Sequence, residues 1–338
     1  MIRLGSALGL DAGRSRGASR MAGAVGFLVA LLVLAGCTAA RADVPAEAVL
    51  AELPFLESDE RNRIYIDLAP AGSARPLRLL LDTGWNVSLL TPGAAKEAGV
   101  RVRRTKSDPY RRKTVLGRDL LFFVDTRRTD TASRTGWEYG VLGGDFLAAY
   151  VVELDFEGRR VRFLDRDRYR VPESAGGGGE AVLPITVVSN RPAVRFEVNG
   201  RELEMLLDTG MPWALMLSGE LARAAGVESA PDARFAMHSV MGPVEAEVGE
   251  AKRVTLGPFM FENVPVAVAP KGWFNLGYPG DSMIACDLLA QFLVRIDYER
   301  RRLWLRRNPE AVLTPLVEAS KAAEPPGGLD RDGGRVPE

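Results

Sequence analysis

Two aspartates 126 residues apart (208 − 82), Asp82 and Asp208, sit in near-identical surroundings. Each follows three apolar residues and precedes Thr-Gly: Leu79-Leu80-Leu81-Asp82-Thr83-Gly84 and Met205-Leu206-Leu207-Asp208-Thr209-Gly210. An apolar strand can deliver a carboxylate to a tight turn, where Gly84 and Gly210 let the backbone fold back and donate N–H groups to it. Two carboxyls held about 3 Å apart cannot both ionise, so they share one proton. One then takes a proton from water while the other protonates a carbonyl, and they exchange roles as the intermediate collapses. Such a pair can hydrolyse a peptide bond without a metal, a cofactor or a covalent intermediate. The hydroxyls of Thr83 and Thr209 could bond across to the opposite copy and lock the two turns together.

Other chemistries have little to work with. His238 is the only histidine, which excludes a His-rich metal site and leaves Ser–His chemistry resting on one residue. No Gly-rich phosphate loop ending in Lys-Ser/Thr is present. Lys plus Arg and Asp plus Glu both number 44, so the formal charge is zero and nothing points to nucleic acid. The densest basic stretch, Arg101–Lys113, reads as solvated surface or loop.

The elements around the aspartates also recur. Ala94–Val100 and Glu220–Val227 are short helical patterns that stop at a glycine. Val141-Leu142-Gly143-Gly144-Asp145 answers Met283-Ile284-Ala285-Cys286-Asp287, 142 residues later (287 − 145). After each comes an alternating hairpin, Val151–Phe156 with Arg160–Leu164 and Leu293–Tyr298 with Leu303–Leu305. The second copy is thus about sixteen residues longer (142 − 126), and an added hairpin within Val254–Val268 is the expected place. At 338 residues the chain can build two domains with a core each.

The segments outside the repeats are assigned by composition. Arg3, Arg14, Arg16 and Arg20 precede an apolar run, Met21–Gly36, of the order expected for an export signal. It ends in Leu34-Ala35-Gly36-Cys37, similar to the lipobox of bacterial lipoproteins, where the cysteine is lipidated. Cleavage after Ala40-Arg41-Ala42 is the competing reading; lipidation is favoured because Cys37 sits where the apolar run stops. Residues 1–36 are therefore read as signal, and the chain is placed on the periplasmic side of a bacterial membrane, or else as a soluble periplasmic or secreted protein. With Cys37 removed or acylated, Cys286 has no intrachain disulfide partner. Residues 37–61 read as linker or pro-segment, with Asp43–Arg61 left open between pro-segment, interlobe strand and spacer from the membrane. Residues 62–171 and 181–307 read as lobes, 172–180 as a Gly-rich joint, and 308–338 as a mostly disordered tail with a short helix near Ala311–Ala323.

The paired motifs resemble the bacterial retropepsin-like aspartyl peptidase domain, present twice and fused as in pepsins. The resemblance covers most of Ile64–Leu305. It implies a mainly β protein of two homologous acid-protease β-barrel lobes, related by a pseudo-twofold and carrying short helices. It implies catalysis by Asp82 and Asp208, an interlobe grip through Thr83 and Thr209, and loop backbone at Gly84 and Gly210. Val141-Leu142-Gly143 fits the family's two-hydrophobics-and-Gly psi motif. Flap hairpins are expected around Gly117 and Gly242, with Tyr110 a candidate flap residue and His238 a candidate cleft residue. A peptide or unfolded-protein substrate and a monomer that supplies both halves of its own cleft follow.

The chain departs from the family in three places. Trp85 and Met211 stand where a small residue usually follows the Gly, and either could crowd the cleft or line an apolar subsite. Ala285 replaces the second psi glycine, at an expected cost of about 1–3 kcal/mol or a shifted loop. Three readings stay open: an active exported endopeptidase, a degenerate relative that binds peptides or a protein without turnover, and a structural β-sandwich pair with coincidental Asp-Thr-Gly turns.

Overall fold

The computed structural model describes residues 44–56, 63–73, 75–99, 110–124, 140–177, 179–239, 242–270 and 282–313; Cys37, the export segment and the tail past 313 lie outside the described residues. The fold is mainly β, and the same lobe is built twice. In the first lobe β2 (Tyr65–Leu68) and β3 (Leu77–Leu81) form a hairpin. β7 (Gly140–Leu142) runs parallel to β3 and antiparallel to β4 (Leu89–Leu90). β5 (Tyr110–Val115) and β6 (Arg118–Val124) form a hairpin that joins through β6, parallel to β4.

The second lobe repeats every one of these relations. β11 (Arg191–Val198) and β12 (Arg201–Asp208) pair as a hairpin, and β17 (Ser282–Ala285) runs parallel to β12 and antiparallel to β13 (Leu215–Ser218). β15 (Gly242–Leu256) and β16 (Phe259–Ala269) form the hairpin that joins through β16, parallel to β13. An additional long strand, β14 (Glu228–Ser239), pairs with β15.

The helices start and stop where the local chemistry directs. α1 (Pro92–Glu97) is capped by Thr91, whose Oγ1 accepts from the Ala94 N–H at 3.2 Å, and Pro92 takes the first turn, where no N–H is needed. α3 (Gly219–Ala224) is capped by Ser218, whose Oγ accepts from Leu221 N–H at 3.3 Å. Both are closed by glycines in the left-handed region, Gly99 (φ +68°) and Gly226 (φ +61°), where a side chain would be strained. α2 (Gly144–Leu147) and α4 (Cys286–Leu289) are single turns after the psi motifs.

The lobes meet in a shared sheet. β8 (Val151–Asp155) of lobe 1 pairs antiparallel with β18 (Phe292–Asp297) of lobe 2, and β9 (Arg160–Leu164) and β19 (Arg302–Arg307) flank them. β1 (Val49–Pro54) closes one side on β9, and β10 (Glu180–Val188) takes the same place on β19. Residues 49–54, expected in a linker or pro-segment, are therefore a strand of the interlobe sheet. They alternate half-buried and exposed, and lobe 2 supplies its own equivalent in β10.

Three other expectations change. The β15–β16 hairpin at Val254–Val268 is not the insertion, because β5–β6 is its lobe 1 counterpart with the same two-residue turn, Leu116-Gly117 against Gly257-Pro258. The extra length of lobe 2 lies before that turn, between α3 and the middle of β15. Nor are there two separate cores: one continuous apolar cluster runs from Ile64 and Leu79 of lobe 1 through Val152 and Ile296 to Val194 and Leu207 of lobe 2. The shared sheet carries the core across, since side chains on one face of β8 and β18 pack as one layer. The Gly-rich stretch is tied down by Arg307 N–H donating to Gly179 O at 2.7 Å. Asn308 N–H likewise donates to Gln291 O at 2.8 Å, so the first residues past β19 dock on lobe 2.

At the centre of the shared sheet Glu153 and Arg295 are register partners, each 2% exposed, with Nε and Oε2 2.7 Å apart. Arg295 also donates to Tyr169 Oη at 2.8 Å and lies 4.2 Å above the Trp304 ring, while Arg162 donates to Glu153 Oε1 at 3.2 Å. Removing one member of a buried pair strands the other charge. Glu153→Gln is expected to lower unfolding free energy by about 3–5 kcal/mol in urea denaturation, whereas Glu153→Leu with Arg295→Met should lie much closer to wild type.

Candidate active site

β3 and β12 each end at the turn that carries their aspartate, and parallel partners hold the turns in place. Asp82 N–H donates to Leu142 O at 3.1 Å, and Asp208 lies in register with Ala285. Within each turn a glycine N–H donates to the carboxylate two residues back: Gly84 to Asp82 Oδ1 at 2.9 Å and Gly210 to Asp208 Oδ1 at 2.8 Å.

The turns then grip each other. Thr83 Oγ1 donates to Leu207 O and Thr209 Oγ1 to Leu81 O, both at 2.7 Å. Each hydroxyl also accepts from the opposite threonine N–H at 3.1 Å. All four bonds are buried and obey the twofold relation between lobes. Glycine is required beside them on steric grounds: a Cβ added at Gly84 would stand 2.5 Å from Asp208 Cγ, and one added at Gly210 would stand 2.5 Å from Asp82 Cγ. Each aspartate turn thus packs its bare Cα against the other lobe's carboxyl.

The carboxyls of Asp82 and Asp208 are 4% and 7% exposed and within hydrogen-bonding reach of each other. Burial raises Asp82 well above the ordinary aspartate value, and the neighbouring Asp208 charge raises it further, against the Gly84 N–H and the Arg63 guanidinium. Burial raises Asp208 to about 6, opposed by the Gly210 N–H, the hydrogen bond with Asp82 and Arg63. The proton is a property of the pair rather than of either residue. In the pH range between the two titrations the site holds one proton and one negative charge, the state that acid–base hydrolysis needs.

The psi loops support the turns unequally. Gly143 has no room for a side chain, since a Cβ would lie 2.6 Å from Val87 O. Ala285 takes the same place in lobe 2, fully buried against Met211 and Trp213. Hydrogen bonding explains the difference. Gly144 N–H donates to Trp85 O and Cys286 N–H to the equivalent Met211 O, but Asp145 N–H reaches Asn86 O while Asp287 N–H reaches Trp213 O, one residue further along. The lobe 2 loop holds an extra residue there, and the methyl occupies the added space. The expected penalty for Ala285 is thereby avoided.

Trp85 and Met211 each lean on their own lobe. Trp85 packs against Tyr65, Leu80, Leu89 and Val141, and Met211 against Leu206, Trp213, Met216, Phe235 and Met283. Gly117 does not head a flap: it turns β5 into β6, with φ +75°, and the Gly257-Pro258 turn is the lobe 2 counterpart of Leu116-Gly117. β14 and β15 do form a hairpin, paired as far as Ser239 and Gly242, with His238 opposite Pro243. Tyr110 begins β5 opposite Phe123. Cys37 lies outside the described residues. Among the described residues no cluster of three His, Cys, Asp or Glu could hold a metal.

Four residues near the site carry roles the motif reading did not assign. Ser88 Oγ donates to Asp145 Oδ1 at 2.6 Å and accepts from Gly143 N–H at 3.0 Å, which braces the lobe 1 psi loop. Burial raises Asp145, and Ser88 opposes the shift. Cys286 Sγ donates to Thr209 O at 3.1 Å, with its thiol held well above the usual range by burial. Arg63, 3% exposed, donates from Nε to Gly210 O at 2.8 Å. One signal for it was present: Asn62-Arg63 recurs as Asn190-Arg191, just ahead of β2 in the first copy and at the start of β11 in the second, and Arg191 is buried too.

Residues 194–288 match the family model described as aspartyl protease, a span that includes Asp208. Among solved structures the chain is similar to a retropepsin-like aspartic protease from Rickettsia conorii, at 20% identity and a TM-score of 0.27, over 38% of this chain and 90% of that one. It is also similar to basic 7S globulin from soybean, at 13% identity and a TM-score of 0.43, over 76% of this chain and 94% of that one. No curated protein matches it.

The raised carboxyls make stability depend on pH. Both folded-state values lie above the unfolded value of about 3.9, so their favourable contribution is complete below about pH 4 and is lost as pH rises through 6. Asp82→Asn removes one carboxyl of the pair and with it the repulsion that arises when both ionise. Its melting temperature is expected to exceed that of wild type at pH 7 and to converge with it at pH 4, as checked by thermal unfolding across that range.

Proposed function

We propose that this chain is an aspartic-type endopeptidase, in which Asp82 and Asp208 activate a water between the two lobes. The observation that carries this reading is the reciprocal threonine grip, which holds two buried carboxyls within hydrogen-bonding reach at the ends of equivalent strands. Water lying between the carboxyls loses a proton to the ionised member. The protonated member donates to the scissile carbonyl oxygen, and the proton taken from water passes to the leaving amine. A neutral-to-acidic working range follows from the elevated pair.

An extended peptide is the substrate, bound by backbone hydrogen bonds to hairpins such as β14–β15. Trp85, half-buried beside the lobe 1 turn, provides apolar surface for its side chains, whereas Met211 is buried in the lobe 2 core. The chain works as a monomer because both aspartates come from one polypeptide. Export, with a lipid anchor on Cys37, places it on the periplasmic face of a bacterial membrane. A second reading, a peptide-binding relative without turnover, is favoured by the size of the half-buried Trp85 where a small residue is usual.

The two readings separate on one experiment. Full-length chain is incubated with a diverse peptide library from pH 3 to 7, alongside Asp82→Asn and Asp208→Asn. The expected result is cleavage with a bell-shaped pH dependence and a fall of about 10³-fold or more in each variant. Peptide binding without cleavage at any pH supports the second reading. Cleavage that survives both substitutions eliminates the dyad mechanism.

A further inference from the structure

We propose that Arg63 is a positioning residue of the site: reaching from lobe 1 to the Gly210 carbonyl of lobe 2, it fixes the second catalytic turn, and its charge favours the ionised member of the aspartate pair. This rests on the reading that Asp82 and Asp208 act as a pair.

The geometry comes first. Arg63 lies just ahead of β2, two residues before Tyr65, and its Nε–H meets Gly210 O at 2.8 Å in a buried contact between residues 147 apart in the chain. Gly210 is the residue whose N–H holds Asp208 and whose bare Cα faces the Asp82 carboxyl. The guanidinium therefore holds the Gly210–Met211 peptide group, whose Met211 N–H also bonds Asp208, and with it the Gly210 Cα that faces Asp82. This contact adds to the threonine grip as a further bond from lobe 1 to the lobe 2 turn.

Charge supplies the second part. A guanidinium stays protonated at every working pH, and burying one costs several kcal/mol unless an anion offsets it. Arg63 attracts both Asp82 and Asp208. With one proton on the pair, cation and carboxylate balance. With two protons the guanidinium loses that partner, and with none two negative charges face each other. Arg63 thus favours the state with one proton at the acid end of its range, and lowers the pH at which that state gives way to the fully ionised one.

The other titratable groups around the pair do not take this role. Cys286 on α4 and Tyr298 after β18 both interact with Asp82, and burial raises both, so they are neutral. Asp287 on α4 acts on Cys286, and Asp145 on α2 is engaged by Ser88. Arg191, which starts β11, is buried at the equivalent position of lobe 2.

The test reads the carboxyls directly. Full-length chain labelled with ¹³C at the aspartate carboxyl carbon is titrated by NMR, with the Asp82 and Asp208 signals assigned from their Asn variants. Arg63→Gln keeps a donor for Gly210 O and removes the charge, so both apparent values of the pair should rise by about 1 unit. Arg63→Lys keeps the charge and should stay close to wild type. Values unmoved in folded Arg63→Gln overturn the proposal. If that variant does not fold, Arg63→Lys decides: values near wild type support the charge role, and a rise as large as a unit overturns it. No substrate enters this measurement, so a chain that cleaves nothing can still show the shift. In that case the peptidase reading fails and the role of Arg63 stands.

Discussion

Two buried carboxyls repel whenever both are ionised, and this structure exists because the Thr83 and Thr209 turns hold them together regardless. Each hydroxyl donates to a backbone carbonyl of the opposite lobe and accepts from the opposite threonine N–H, so four hydrogen bonds satisfy six buried polar groups reciprocally. A neutral hydrogen bond contributes about 1 kcal/mol net, but an unmet buried donor or acceptor costs about 1–3 kcal/mol. Separating the turns would incur that cost several times over. The shared sheet below works in the same direction, with Glu153 and Arg295 paired at its centre.

Because both turns belong to one polypeptide, no association entropy opposes their meeting. Fusion also frees the copies to diverge, and they have done so without disturbing the grip. The lobe 1 psi loop is closed around Gly143 and braced by Ser88 and Asp145. The lobe 2 loop carries one more residue, seats Ala285 in the space, and uses the Cys286 thiol as a donor to Thr209 O. The Asp, Thr and Gly that touch the opposite lobe keep the same identity in both copies.

Much of the fold was legible because its signals are local. Thr91-Pro92 and Gly99 mark a helix and its end whatever surrounds them, and the alternation in Arg160–Leu164 marks a strand with one buried face. The hairpins 151–164 and 292–307 were equally readable, as both turn at a charged stretch with a non-glycine residue at positive φ, Arg159 and Arg301. The misassignments came where identity depends on a distant partner. Val49–Pro54 has no pattern that separates a spacer from a strand until β9 is beside it. Gly117 looks like any glycine turn, and only the parallel pairing of β6 with β4 shows which hairpin it belongs to.

The sequence by itself determined that two equivalent carboxylates would each end an apolar strand at a Thr-Gly turn, since strand burial and turn chemistry are written within six residues. Tertiary structure alone decided that one core rather than two runs beneath the turns, and that Arg63 meets Gly210 across 147 residues of chain. The physical reason is that burial and hydrogen bonding between residues far apart depend on which surfaces the shared sheet brings together. No local propensity specifies that choice.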